Sequence, residues 1–168
     1  SVLPTEGSFI RDKVRSDSLP LPDGDGASYL TSLYFDEFTP GQTLTDVSDL
    51  LGICVTMEHS YMFDLEISIS CPNGQEAVLV QQVQTVNETY LGAPFQGDDI
   101  NTPSPPGQGV GWEYCWTPNA VNDTWTDYVN TFNPDTLPAG NYSSHEPLSQ
   151  LLGCPLNGEW TIRVTDLW

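Results

Sequence analysis

The chain has 168 residues, a length that fits one domain with a sizeable core. With 14 Gly and 14 Pro it is too turn-rich for long helices, yet it stays below the level that marks disorder. Four basic residues against 23 acidic ones leave a net charge of −19, which argues against nucleic-acid phosphates and anionic lipid surfaces as partners. No apolar run reaches the roughly 18 residues of a membrane span. No charged-then-apolar leader opens the sequence, which therefore reads as a mature protein or an excised piece.

The charge is unevenly placed. Arg11, Lys13 and Arg15 lie in the first 15 residues, and residues 16–168 hold 21 of the acids against one cation, Arg163. Such an acidic surface serves solubility, and it also suits a hard divalent cation such as Ca²⁺, which takes carboxylate and carbonyl oxygens.

In chain order, residues 1–19 are weakly patterned and read as a linker or N-terminal arm, and Pro20 to Gly26 is a turn cluster. Tyr29 to Phe35 reads as a first strand. Leu51 to Met57 alternates, with Leu51, Ile53, Val55 and Met57 on one face. Leu65, Ile67, Ile69 and Cys71 share a face in the next strand, which turns at Cys71-Pro72-Asn73-Gly74 into a strand over Ala77 to Val83. Residues 84–108 form a long loop rich in Pro and Asp, and Trp112 to Trp116 alternates with its aromatics on the even phase. Residues 117–150 read as an excursion with an irregular strand or short helix, and Trp160, Ile162 and Val164 point inward from the last strand. Short strands separated by turns at this density predict an all-β sandwich or jelly roll. Residues 20–168 are expected to form that sandwich, with a long insertion around 84–150.

Four cysteines, no Cys-x-x-Cys and two histidines lack zinc spacing. They read as two disulfides formed in an oxidising compartment, the alternative being buried free thiols. The short link between strands 51–57 and 65–71 predicts that they pair antiparallel. In that register Cys54 and Cys71 face opposite sides. Cys54 and Cys115 both occupy the polar phase of their strands, whereas Cys71 and Cys154 both precede Pro at a strand-end turn. Of the three connectivities, this favours Cys54–Cys115 with Cys71–Cys154.

Two runs carry a family resemblance: His59-Ser60-Tyr61-Met62-Phe63-Asp64-Leu65 with Cys71-Pro72-Asn73-Gly74, and Asn157-Gly158-Glu159-Trp160-Thr161-Ile162-Arg163-Val164-Thr165-Asp166. They resemble the P domain (P/Homo B) of proprotein convertases and bacterial subtilisin-like proteases. Phe63 departs from the family's usual Gly. The cysteines and the aromatic run look more like P-domain-like modules in large secreted surface proteins of gliding Bacteroidetes, which often leave the cell by type IX secretion. The resemblance implies a jelly-roll-type β-sandwich and a structural role for His59. It also implies one more strand after Asp166, so the chain would lack its last strand unless another chain supplies it.

Neither His59 nor His145 is set in a nucleophile–base motif, and no Gly-x-Ser-x-Gly elbow occurs, so the chain reads as no enzyme. If successive strands alternate in direction, the loops 58–64 and 84–108 share one end. That end would gather Glu58, Asp64, Asp98 and Asp99 as Ca²⁺ ligands, or as solvated acids. Trp112, Tyr114, Trp116, Trp125 and Tyr128 would form either a stacking platform for surface glycans or part of the core, and the alternating phase favours the core. Three sequons begin at Asn87, Asn122 and Asn141. The function expected is a non-catalytic extracellular module, structural or adhesive, whose partners are other domains of its polypeptide or a neighbouring chain. An accessory P domain stabilising a secreted subtilisin-like protease is the alternative.

Overall fold

The computed structural model describes residues 11, 13–15, 26–84, 88–95 and 109–167. Among them the strands are β1 (Ala27–Phe35), β2 (Ile53–Met57), β3 (Leu65–Ser70), β4 (Glu76–Val80), β5 (Tyr90–Leu91), β6 (Trp112–Trp116), β7 (Thr136–Leu137), β8 (Gly140–Tyr142) and β9 (Gly158–Asp166), with one α-helix, α1 (Trp125–Phe132), between β6 and β7. They form a four-stranded sheet in the order β1-β9-β3-β4, a three-stranded sheet β2-β6-β8 and a small β5-β7 pair. A contiguous apolar core draws on all three, giving an all-β sandwich.

The seam between β3 and β9 lies at the centre of the larger sheet. The two strands pair antiparallel without interruption from Leu65↔Asp166 to Ser70↔Thr161. Leu65 and Ile67 are fully buried and Ile69 nearly so, each such side chain contributing about 1.5–3 kcal/mol of hydrophobic stabilisation. On the other side of β9, β1 pairs along its whole length, and the opposite face carries hydroxyl pairs, Ser28–Thr165 at 2.9 Å and Ser32–Thr161 at 2.8 Å.

β9 is therefore flanked by strands on both sides, and the strand nearest the C-terminal end does not form a sheet edge. The edges are β1 and β4. β4 is covered in part, since His145 N–H and Glu146 N–H donate to the Leu79 and Val78 carbonyls while the Glu146 carboxylate accepts from Val78 N–H. At β1, Lys13 Nζ donates to the Tyr34 carbonyl, sits 5.2 Å from the Phe35 ring centre and faces Asp36 and Glu37.

The predicted pairing of residues 51–57 with 65–71 is not what forms. β2 pairs with β6, from Ile53↔Trp116 to Met57↔Trp112, and β3 pairs with β4 and β9. The reason lies in the link: Met62 and Phe63 are buried in a 3-10 turn, Met62–Asp64, so the connection carries the chain from one sheet to the other. A short hairpin would have left both side chains in solvent.

Residues 117–150 contain both expected kinds of element, a short helix and short strands. α1 starts at Thr124, whose hydroxyl oxygen accepts from Asp127 N–H, and ends at Asn133 in the left-handed region at φ 46°. Its buried face, Trp125 and Val129, inserts against Tyr114, Trp116 and Tyr142, with ring centres 5.2, 5.3 and 6.4 Å from Trp125. The Tyr114 hydroxyl donates to the Leu137 carbonyl and accepts from Gly92 N–H, tying β6 to the β5-β7 pair. This stretch supplies much of the core under the second sheet.

Two disulfides staple the sandwich. Cys54–Cys115 joins directly paired positions of β2 and β6, with Cα atoms 4.1 Å apart. Cys71–Cys154 joins the turn after β3 to the segment before β9, at 6.0 Å. At that same end Gly158, at φ 120°, presses its backbone onto Pro72, where an added Cβ would lie 2.7 Å from the ring carbons. Gly158→Ala is expected to cost about 2 kcal/mol or more in urea unfolding. In a Pro72→Gly background, which removes both side-chain carbons that the new Cβ meets, the steric part of that cost should disappear and the backbone part should remain.

Candidate functional site

The first and second motif runs meet at both ends of the β3–β9 seam. One end is the Cys71–Cys154 and Pro72–Gly158 contact. The other gathers His59, Asp64 and Asp166 where β9 finishes.

His59 is fixed by its neighbours. Its Nδ1 lies 3.0 Å from the Tyr61 backbone nitrogen and 2.9 Å from the Tyr61 carbonyl oxygen, so the ring is held by a local turn. Nε2 stands 3.6 Å from Asp166 Oδ2, with both side chains largely buried. The tautomer that accepts from Tyr61 N–H at Nδ1 leaves the Nε2 proton facing the Asp166 carboxylate. The backbone of His59 also bridges to Leu91 in both directions, at 3.0 and 2.9 Å.

Asp64 is the third member. Its carbonyl accepts from Leu167 N–H at 3.0 Å, which holds the end of β9 over the 3-10 turn. Burial pushes the Asp64 carboxyl above the usual value, the neighbouring Asp166 charge adds to that, and His59 opposes both. The cluster sets an imidazole near two carboxylates whose charges repel one another.

Glu58, next along the chain, faces the segment after the long loop. Its Oε1 accepts from Gly109 N–H at 3.3 Å, and its Oε2 lies 2.9 Å from where a Cβ on Gly109 would sit. Gly92, at φ 59°, has no room for a Cβ either, with the Val110 carbonyl oxygen at 2.5 Å. The loop 58–64 thus packs on residues 89–93 and 109–110, the two flanks of the long loop. Asp98 and Asp99 lie outside the described residues. Among the described residues, no three His, Cys, Asp or Glu side chains gather at metal-binding spacing.

The other singled-out residues have structural employment. Tyr114, Trp116 and Trp125 are fully buried, and Tyr128 packs edge-on against Tyr142 with ring centres 5.5 Å apart. Trp112, 37 % exposed, is the member of the set that reaches the surface. The His145 side chain is exposed. Two sequon asparagines use their amides inside the fold: Asn122 Nδ2 donates to the Asn141 carbonyl, and the Asn141 amide pairs with the Thr117 hydroxyl. Asn87, which opens the remaining sequon, lies outside the described residues.

Asp166 is the residue that sequence reasoning passed over. The signal was present: Trp160, Ile162 and Val164 set an inward even phase, and Asp166 continues it, which puts a carboxylate on the buried face. A buried acid at that phase calls for a partner, and His59 provides it.

A scan against protein-family models, a search of curated proteins and a search of solved structures each found no match. The geometry defines the class: a β-sandwich stapled by two disulfides, with a His–Asp contact closing its central seam. Among the described residues, no helix is long and apolar enough to cross a membrane.

The sign of the Asp64 effect is testable. Its folded pKa stands above the unfolded 3.8, so the folded state holds the proton more tightly, and stability falls as pH rises through that interval. Asp64→Asn should be more stable than the parent at pH 7, and the advantage should vanish as pH drops below 3.8. Urea unfolding at both pH values checks this.

Proposed function

We propose that the chain is a P-domain-like, non-catalytic module of a secreted or cell-surface protein, structural or adhesive in role. The observation that carries this is the employment of the two motif runs. His59, the candidate base within them, is held by Tyr61 and Asp166, and the remaining residues build and close the β3–β9 seam. Two disulfides support an oxidising, extracellular setting. The heavy acidic excess suits a protein that works in water among divalent cations.

Calcium is the cofactor this reading includes. Glu58 and Asp64 stand on the loop that packs against both flanks of the acidic loop, and Asp98 and Asp99 lie within that loop's sequence. An ion held between the two loops would join them and stabilise that end of the sandwich.

Differential scanning calorimetry of the chain in millimolar Ca²⁺, compared with EDTA at equal ionic strength, tests the calcium part. The reading expects a melting temperature higher by several degrees, with the gain lost in the Asp98→Asn, Asp99→Asn double variant. Equal melting temperatures would remove calcium from it. Hydrolase activity of the purified chain that disappears in His59→Ala while the fold persists would overturn the non-catalytic role.

A further inference from the structure

The two disulfides occupy opposite environments, and the contrast has chemical consequences. Cys71 and Cys154 are 4 % and 0 % exposed, sealed under the turn that packs on Gly158. Cys54 is exposed and Cys115 half-buried, both on the outward phase of the smaller sheet.

We propose that Cys54–Cys115 is a site of thiol–disulfide exchange in the folded protein, entered at Cys54 by neutral thiols. The direction follows from strand order. An attacking thiolate must approach one sulfur along the extension of the S–S bond. The bridge spans neighbouring strands, β2 and β6, so one line of approach comes over the open side of β2 and the other over β8. Among the described residues β2 is an edge strand, and Cys54 on it is exposed. On the other side Asn141 of β8 stands directly beside Cys115, held in place by its amide pair with Thr117. Attack at Cys54 is therefore open and attack at Cys115 is screened.

The exchange balances within the protein and a dithiol. A thiolate attacks Cys54 Sγ and forms a mixed disulfide there, while the Sγ–Sγ bond breaks and Cys115 leaves as a thiolate that takes a proton from water. The second thiolate of the reagent then attacks its own sulfur in the mixed disulfide and expels Cys54. The reagent ends as a cyclic disulfide, and two electrons have passed to the cystine.

Charge selects the thiol. A chain of net charge −19, with Glu113 exposed next but one to Cys115, repels the doubly negative glutathione thiolate more strongly than the singly negative thiolate of an otherwise uncharged thiol. The repulsion weakens as salt rises.

The test uses the full chain in native buffer. Limited treatment with dithiothreitol, an iodoacetamide quench and peptide mapping should label Cys54 and Cys115 at least about tenfold faster than Cys71 and Cys154. The near-ultraviolet circular dichroism of the Trp116–Trp125 cluster should be unchanged. With 2-mercaptoethanol the first mixed disulfide should sit on Cys54. Glutathione should react more slowly than this neutral monothiol at low salt, with the gap narrowing at high salt. Equal labelling of the two bridges, a first adduct on Cys115, or loss of the aromatic signal in step with Cys54 labelling would overturn the proposal. So would a glutathione rate that is insensitive to salt.

Discussion

The antiparallel pairing of β3 with β9 is the constraint on which the rest of the fold depends. The two strands stand far apart in sequence, so bringing them together costs loop-closure entropy that local contacts cannot repay. The chain offsets that cost by closing the seam at both ends. A disulfide and a glycine pressed on a proline hold one end, and His59, Asp64 and Asp166 hold the other. Between them Leu65, Ile67 and Ile69 supply the buried face. β1 then adds to β9 and β4 to β3, which completes the larger sheet.

The smaller sheet depends on that seam through the core. Met62 and Phe63 carry the chain across from β2 to β3, and the aromatic group around Trp125 fills the space beneath β6 and β8. Its own staple lies outside, on the solvent face. The protein thus has an inner bridge that secures its centre and an outer one that secures an edge, and they differ in what can reach them.

Much of this was legible in the residues. Alternation located β1, β2, β3, β4, β6 and β9 within a few positions, because each has one buried and one wetter face. The polar phase of Cys54 and Cys115 and the Cys-Pro turns at 71 and 154 carried the information about the bridges. The partner of β2 was not legible. Phase fixes which way a side chain points and is silent about which strand lies alongside, and the 58–64 link looked short enough for a hairpin. The His59–Asp166 contact is hidden in the sequence because the apolar alternation of Trp160, Ile162 and Val164 stops two residues before the acid that continues its inward phase. Asp98 and Asp99 stand apart from all of this, since the described residues fix only the flanks of their loop.

Native-state hydrogen exchange read residue by residue tests the central claim most directly, because it ranks the free energies at which different strands open. If the seam governs the fold, the slowest amides lie on Leu65–Ser70 and on Thr161–Asp166 and exchange only through global unfolding, while Ile53–Met57 opens at lower free energy. Slowest exchange on Ile53–Met57 and Trp112–Trp116, with β3 and β9 opening first, would contradict the account.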